Sequence, residues 1–378
     1  MPHRICQIIP TLVQGGAEKQ MSLLVRGLNP SEFESHVVVL THSGPLETEL
    51  RDAGIPIHMV EKKGKLDPSA VFRLQGLIHK LNPALVHTWL FAANSYGRFA
   101  ARRAGVNAIV AGERCVDPWK RWWHHRIDHW LASYTDKIVC NTAAIREFYT
   151  QHGIPTELFA TIPNAVVNPA SEILTGEAKD AKRAEVFKRL GIKPRARLVG
   201  AVGRLWKQKG YRDLIWASEL LKAAHGDVWF VILGDGPDRE TLQHYRDRIH
   251  AENSVRFVGH RQDAKELMAG FDLLWNGSLY EGQSNTILEA MSLGLPVVAS
   301  NIPGNNELVD HEKSGYLFNL GDVESLTRHS NRLLTDDDLR ESFGKKALDK
   351  IQTQFTLESM VSRHEVLYRE LIERKASK

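Results

Sequence analysis

Short apolar runs and longer amphipathic runs alternate twice along this chain, and few folds can absorb such a pattern. In the first series, strand-like runs occur at Ile5–Ile9, His36–Leu40, Ile57–Val60, Ala84–Thr88, Ala108–Ala111, Lys137–Cys140 and Leu158–Ile162. Helical spacing fills Ala17–Leu28, Pro45–Ala53, Pro68–Leu81, Phe91–Ala104 and Thr142–Gln151 between them. Strands that alternate with helices through short turns form parallel, doubly wound sheets. The pattern breaks between Val167 and about Lys193, where Asn, Pro, Ser and Gly precede the charged run Glu177–Arg189, an interdomain connection that carries a helix. It then restarts, with strands at Arg197–Val202, Val228–Leu233, Val255–Val258, Asp272–Trp275, Pro296–Ala299 and Gly315–Phe318, and helices at Tyr211–Ala224 and Pro237–His250. From Val323 onward the chain reads as helix alone. The reading is α/β, with one domain over 1–168, a linker over 169–194 and a second domain over 195–354. A length of 378 residues suits two domains of ordinary size.

Composition excludes several classes. The net charge is only +4, which gives no basis for a nucleic-acid partner. There are three cysteines, Cys6, Cys115 and Cys140, an odd number set partly in apolar runs, which points to thiols kept in a reducing compartment. No CxxC or HExxH spacing occurs, so no metal site is expected. The apolar run at the N-terminus is too short for a signal peptide, and no run of about 18 apolar residues exists for a transmembrane helix. A cytoplasmic location follows, with any membrane contact peripheral, on the inner face.

In doubly wound sheets, ligands bind beyond the carboxyl ends of the strands. After the first strand, Gly15 and Gly16 either let backbone approach a ligand or simply form a tight turn. After Arg197–Val202 comes Gly203-Arg204-Leu205-Trp206-Lys207-Gln208-Lys209-Gly210, whose clustered cations suit a diphosphate. Gly234-Asp235-Gly236-Pro237 resembles the start of a dinucleotide fingerprint, but Arg239 stands where the third glycine belongs. That turn is therefore structural, with Pro237 as a first helical residue. His260, after Val255–Val258, either lines a nucleotide pocket or lies on the surface. His87, after Ala84–Val86, either faces the ligand or is a strand-end histidine satisfied by backbone.

The stretch Tyr280–Ser300 is the richest in chemistry. Glu281 and Glu289 flank the polar turn Gly282-Gln283-Ser284-Asn285, and a helix beginning near Ser284 places Glu289 about one turn inside it. Such carboxylates and backbone amides suit a polyhydroxylated, anionic ligand. In the first half, Trp119–Trp130 reads WKRWWHHRIDHW. Trp119, Lys120, Arg121, Trp122, Trp123 and Arg126 fit an interfacial surface for anionic lipid or glycolipid. Near-helical spacing of Trp119, Trp122, Trp123, Ile127 and Trp130 equally fits a core-packed helix.

GGAE near the start, GRLxxxKG at 203–210, LGDGP at 233–237, VRFVGH at 255–260 and EGxxNxxLEAMxxGxPVVAS at 281–300 together resemble the retaining nucleotide-sugar glycosyltransferases of family 4. The resemblance covers nearly the whole chain and is strongest over 198–320. It implies a GT-B fold, two Rossmann-like domains facing a central cleft, with the final helix, 355–378, packing back on the first. It implies that Arg204 and Lys209 bind the donor diphosphate in place of a metal, so that no cofactor is needed. Glu289 would hold the ribose hydroxyls. Glu281 and the turn Gly282–Asn285 would lie by the donor sugar and phosphates, with Gly203, Thr286 and His260 lining the donor pocket. Gly15 and Gly16 would approach the diphosphate from the other domain.

The implied partners are a nucleotide-sugar donor and a cell-envelope glycan or lipid-linked acceptor. The departing diphosphate would serve as base in a same-face displacement. One departure concerns the family's His-x-His after the fourth strand. Its second histidine is Trp89 here, which leaves Trp89 to stack on a sugar or His87 to act as the catalytic histidine. A catalytically weak nucleotide-sugar-binding protein and a GT-B nucleotide-sugar epimerase are the alternative readings.

Overall fold

A computed structural model describes residues 1–64, 66–167, 176–193 and 196–376. Residues 169–175 and 194 of the expected linker, and the last two residues of the expected final helix, lie outside that set. The chain divides into two compact units, Met1–Ala165 with the segment from Leu357 onward, and Val166–Thr356.

Seven parallel strands build the first unit: β1 (His3–Thr11), β2 (Phe33–His42), β3 (Ile57–Met59), β4 (Leu85–Trp89), β5 (Ala108–Glu113), β6 (Lys137–Cys140) and β7 (Phe159–Thr161), in spatial order β3-β2-β1-β4-β5-β6-β7. Helices cover both faces, so the strands read as unbroken apolar runs. On one face Cys6, Ile8, Val38, Leu40 and Val86 pack with Leu74 and Ile78 of the helix Pro68–Leu81. That helix shows how sequence punctuation fixes an element. The Asp67 carboxylate accepts the Ala70 N–H, Pro68 occupies the first turn, and Asn82 ends the helix in the left-handed conformation.

The chain's last helix, Leu357–Ala376, belongs to this unit. Met360, Val361, His364, Leu367, Tyr368 and Leu371 recur at helical spacing and are all buried. Tyr368 is central among them. Its hydroxyl accepts from Gln7 Nε2 of β1 at 3.1 Å and meets His87 Nδ1 of β4 at 2.6 Å. Arg369 adds two 2.8 Å contacts to Glu32, and Arg374 reaches Asp136 at 2.9 Å.

Six parallel strands form the second unit: β8 (Arg197–Val202), β9 (Val228–Leu233), β10 (Val255–Gly259), β11 (Leu273–Asn276), β12 (Val297–Ser300) and β13 (Gly315–Phe318), in order β10-β9-β8-β11-β12-β13. Successive residues serve opposite cores. Leu198, Val231, Leu274 and Val297 face one apolar cluster; Val199, Phe230, Leu273 and Val298 face the other. The helix Gly176–Leu190 buries Val186, Phe187 and Leu190 in the first of these clusters. This part of the expected linker is thus packed core of the second unit. Pro237 does not start the next helix either. That helix spans Arg239–Arg248, and Pro237 stays in the turn.

Because Tyr368 joins two strands to the terminal helix from a fully buried position, Tyr368→Phe should leave Gln7 and His87 short of a partner. We expect a loss of about 1–3 kcal/mol in chemical denaturation; unchanged stability would contradict this placement.

Candidate active site

The carboxyl ends of β8 and β11 carry two loops that are tied together. Beyond β8, buried Leu205 anchors the cationic loop: its N–H reaches Asp235 O at 2.9 Å and its carbonyl accepts from Asp238 N at 3.1 Å. The Gly234–Pro237 turn thus buttresses this loop, in keeping with a structural role. Arg204 is exposed, its guanidinium 5.4 Å from the Trp206 ring centre. A short 3-10 turn, Lys207–Lys209, brings Lys209 round toward the β11 loop. There Gln208 O accepts from Leu279 N at 2.7 Å, and Gln208 Nε2 donates to Tyr280 O at 2.8 Å. Between these bonds the Lys209 ammonium pairs with Glu281 Oε1, which also accepts from Ser278 Oγ at 2.8 Å. Glu281 is buried. Burial, then the Glu281 charge, hold the neighbouring Tyr211 hydroxyl well above its usual range, and that hydroxyl donates to Gly203 O at 3.0 Å.

A buried amide-and-hydroxyl network supports the β11 loop. Asn276 donates to Ser284 Oγ at 3.1 Å and accepts from Ser278 N at 3.1 Å; Asn305 donates to the Ser300 carbonyl and hydroxyl, each at 3.2 Å. Ser300 Oγ closes the ring on Ser278 O at 2.6 Å. Gly304, at φ +94°, brings its Cα so close to Gly282 that a Cβ would lie 1.9 Å from the Gly282 carbonyl oxygen. Gly282, Gln283 and Ser284 are consequently buried. The helix Asn285–Met291 begins after Ser284, with Thr286 Oγ1 bonded to Val202 O at 3.2 Å and half-buried Glu289 one turn in. Arg204, Lys209, Gly203, Glu281, the Gly282–Thr286 turn and Glu289 therefore all belong to the carboxyl ends of β8 and β11 or to the helix that follows. His260 follows β10 and is exposed. Sequence reasoning missed Ser278, Asn276, Ser300 and Asn305; their position at or just beyond the carboxyl ends of β11 and β12 was the available signal.

In the first unit the outcome differs. Gly15 caps the helix Gly16–Gly27, and a Cβ there would lie 2.2 Å from the Glu18 carboxylate. Glu18 accepts from Thr11 at 3.0 Å and is largely buried, which raises its pKa. The glycine thus lies against a carboxylate of the chain itself. His87 does not face a ligand. It is fully buried beneath Tyr368, stacked 4.6 Å from Trp89, and burial drives its pKa well below the usual value. Trp89 is equally buried, its indole N–H bonded to Gln7 Oε1 at 2.8 Å, so it is not a sugar-stacking platform. Both positions were occupied by parallel-sheet core.

The tryptophan-rich segment divides. Trp119, Trp122, Trp123 and Trp130 are 41–72% exposed, so they do not form a core-packed stripe; Arg121 and Arg126 are exposed beside them. Lys120 is the correction: its side chain is fully buried and cannot belong to a contact surface. Its ammonium lies 2.8 Å from Asp128, 2.7 Å from the Tyr149 hydroxyl, 3.6 Å from Asp117 and 3.9 Å from Glu113. Arg98 joins through Asp128 at 3.0 Å. Glu113 and Asp128 are thus buried with two cations, with Asp117 half-buried beside them, and Lys120 supplies the partner without which a buried carboxylate costs several kcal/mol.

What the second unit assembles is a cation pair, a carboxylate pair and a turn rich in small polar residues, a set able to hold an anionic, hydroxyl-rich molecule. Comparison with known proteins gives the same direction. The family model described as "Glycosyl transferases group 1" matches residues 182–350, and "Glycosyltransferase Family 4" matches residues 14–167. The chain belongs to the family 4 glycosyltransferases. A galactosyltransferase of Escherichia coli, named UDP-Gal:alpha-D-GlcNAc-diphosphoundecaprenol alpha-1,3-galactosyltransferase, is 29% identical over 389 aligned residues, covering 98% of this chain and 97% of that enzyme. The lipopolysaccharide core glycosyltransferase LpsE of Rhizobium meliloti is 28% identical over 60% of this chain and 62% of its own length. Among solved structures, Anabaena HepE in complex with UDP-glucose aligns with a TM-score of 0.85 at 24% identity, covering 97% of this chain and 99% of HepE. The glycosyltransferase therefore has the GT-B fold class, with two Rossmann-like units. Among the described residues no helix is long and apolar enough to cross a membrane.

The acid-rich cluster around Lys120 should be visible in stability. Burial, with the charges of Asp128 and Asp117, raises the Glu113 pKa from 4.5 to about 7. Between those values the folded chain holds a proton that the unfolded chain has released, so this group makes stability fall as pH rises through that window. Glu113→Gln should flatten that fall in urea denaturation between pH 5 and pH 8; an unaltered slope would contradict the assignment.

Proposed function

We propose that the glycosyltransferase moves a sugar, with retention of configuration and without a metal, from a UDP-sugar to a hydroxyl of a cell-envelope glycan or lipid-linked acceptor. The observation that carries this reading is the Lys209–Glu281 pair joining the β8 and β11 loops, with Arg204 on the same loop as Lys209. The choice of uridine is supported by the E. coli relative's name and by the HepE complex with UDP-glucose; the choice of acceptor class is supported by the diphosphoundecaprenol and lipopolysaccharide in the relatives' names.

In this reading the donor diphosphate competes with Glu281 for Lys209, and Arg204 supplies the second cation. Glu289 accepts from the ribose hydroxyls, while Gly203, Gly282–Thr286 and His260 line the nucleotide. The bond between the anomeric carbon and the diphosphate breaks as the bond to the acceptor oxygen forms on the same face. The acceptor's proton passes to the departing diphosphate, whose growing negative charge Lys209 and Arg204 offset. Cations fixed in place before the reaction need no reorganisation when that charge develops. Exposed Trp119, Trp122 and Trp123, with Arg121 and Arg126, support contact of the acceptor side with an anionic membrane, since indole rings favour the bilayer interface and arginines favour its charge.

Lys209→Ala and Arg204→Ala should each lower turnover by about a hundredfold to a thousandfold, or about 2.7–4 kcal/mol. The measurement is transfer from UDP-sugars in excess chelator; unchanged turnover in both variants, or activity only with added Mg²⁺, would refute the reading. Co-sedimentation with vesicles containing phosphatidylglycerol should weaken by at least about thirtyfold for the double variant Arg121→Glu, Arg126→Glu, from about 1 kcal/mol per lost cation. Equal sedimentation of variant and parent would remove the membrane contact.

A further inference from the structure

The first unit holds a buried cation, Arg114, that takes no part in the donor site of the second unit. Arg114 follows the last residue of β5, Asn141 follows the last residue of β6, and Asn164 lies just beyond β7. These are three neighbouring strands, so the three side chains share the carboxyl edge of one sheet. Arg114 Nη1 donates to Asn164 Oδ1 at 3.2 Å, and Asn141 Nδ2 donates to the same oxygen at 3.1 Å. The remaining capacity is unmet. Arg114 Nε and Nη2 and Asn141 Oδ1 are out of solvent and without a partner.

A guanidinium that is 92% buried, without a bound carboxylate among the described residues, is costly. The Trp89 ring, 4.3 Å away, compensates in part. His87 and His364 are held neutral, His364 with its pKa down at about 3, and burial keeps the Tyr368 hydroxyl protonated. Burial also draws Arg114 itself down to about 10, which still leaves it charged near neutrality. Two parallel N–H donors match the spacing of phosphoryl oxygens, and an open carbonyl acceptor beside them matches a hydroxyl of the same ligand.

We propose that Arg114, with Asn141 and Asn164, forms a phosphoryl-binding subsite at the carboxyl edge of the first unit's sheet, suited to a phosphorylated sugar. Assigning that phosphoryl group to the acceptor rests on the glycosyl-transfer reading; the subsite itself does not. The covering side chains must part for the ligand to enter, because neither open nitrogen touches solvent.

The test is NMR of arginine Nε–Hε groups in the full chain, with the Arg114 signal assigned from its loss in Arg114→Lys. Titration with inorganic phosphate should move the Arg114 signal saturably in the parent protein, where nuclear Overhauser contacts to the Trp89 ring assign the same signal without a variant. Short-chain prenyl diphosphate and UDP form two further arms. A shift with the prenyl compound identifies the acceptor as the source, and a shift with UDP identifies the donor; either supports the subsite. An Arg114 signal unmoved by all three probes overturns it. Transfer activity is measured in parallel, so absent turnover with a saturable Arg114 shift rejects the glycosyl-transfer reading alone.

Discussion

Lys209 and Glu281 lie 72 positions apart in sequence and meet because β8 and β11 are adjacent strands. Much of the second unit's ligand-side architecture serves that meeting. Buried Leu205 pins one loop, the Asn276–Ser284–Ser300–Asn305 network pins the other, and Gln208 bridges them at both ends. A buried carboxylate with a lysine on one oxygen is stable only while the geometry is kept and the remaining lone pairs are served. Ser278 serves one of them. Under the proposed function an incoming diphosphate takes over the ammonium while Glu281 keeps its hydroxyl donor.

The first unit places its charges differently. Its deepest ion cluster, around Lys120, lies between the sheet and the helix Trp122–Ala132 and holds that helix from beneath. The polar core is therefore the support for the exposed tryptophans above it. The Tyr368–His87–Gln7–Trp89 chain likewise fastens the terminal helix to β1 and β4. His87 Nδ1 and the Lys120 ammonium each have buried partners within these groups, which explains why a histidine at a strand end is structural here and a lysine in a basic run is hidden.

The fold was legible because its signals are local. β6, β8, β9 and β13 take the bounds that apolar runs suggest, and Asp67, Pro68 and Asn82 mark a helix at both ends. Residues grouped by a motif, such as Arg204, Lys209, Glu281 and Glu289, were legible for the same reason. Burial of individual polar side chains was not. Lys120 is buried by Glu113, Asp128 and Tyr149, which sit on three elements, and no periodicity encodes that. His87 and Trp89 lie in a strand covered on both faces, where alternation carries no inside–outside information. The short helices Ala264–Met268 and Asn305–Leu308 also lacked a run long enough to register.

Hydrogen exchange in the presence and absence of saturating UDP tests the central claim most directly, because it locates the ligand without assuming chemistry. Slowed exchange is expected at the backbone amides of Gly203–Gly210 and Glu281–Glu289. Protection confined to other strand ends, with these two segments unchanged, would contradict it.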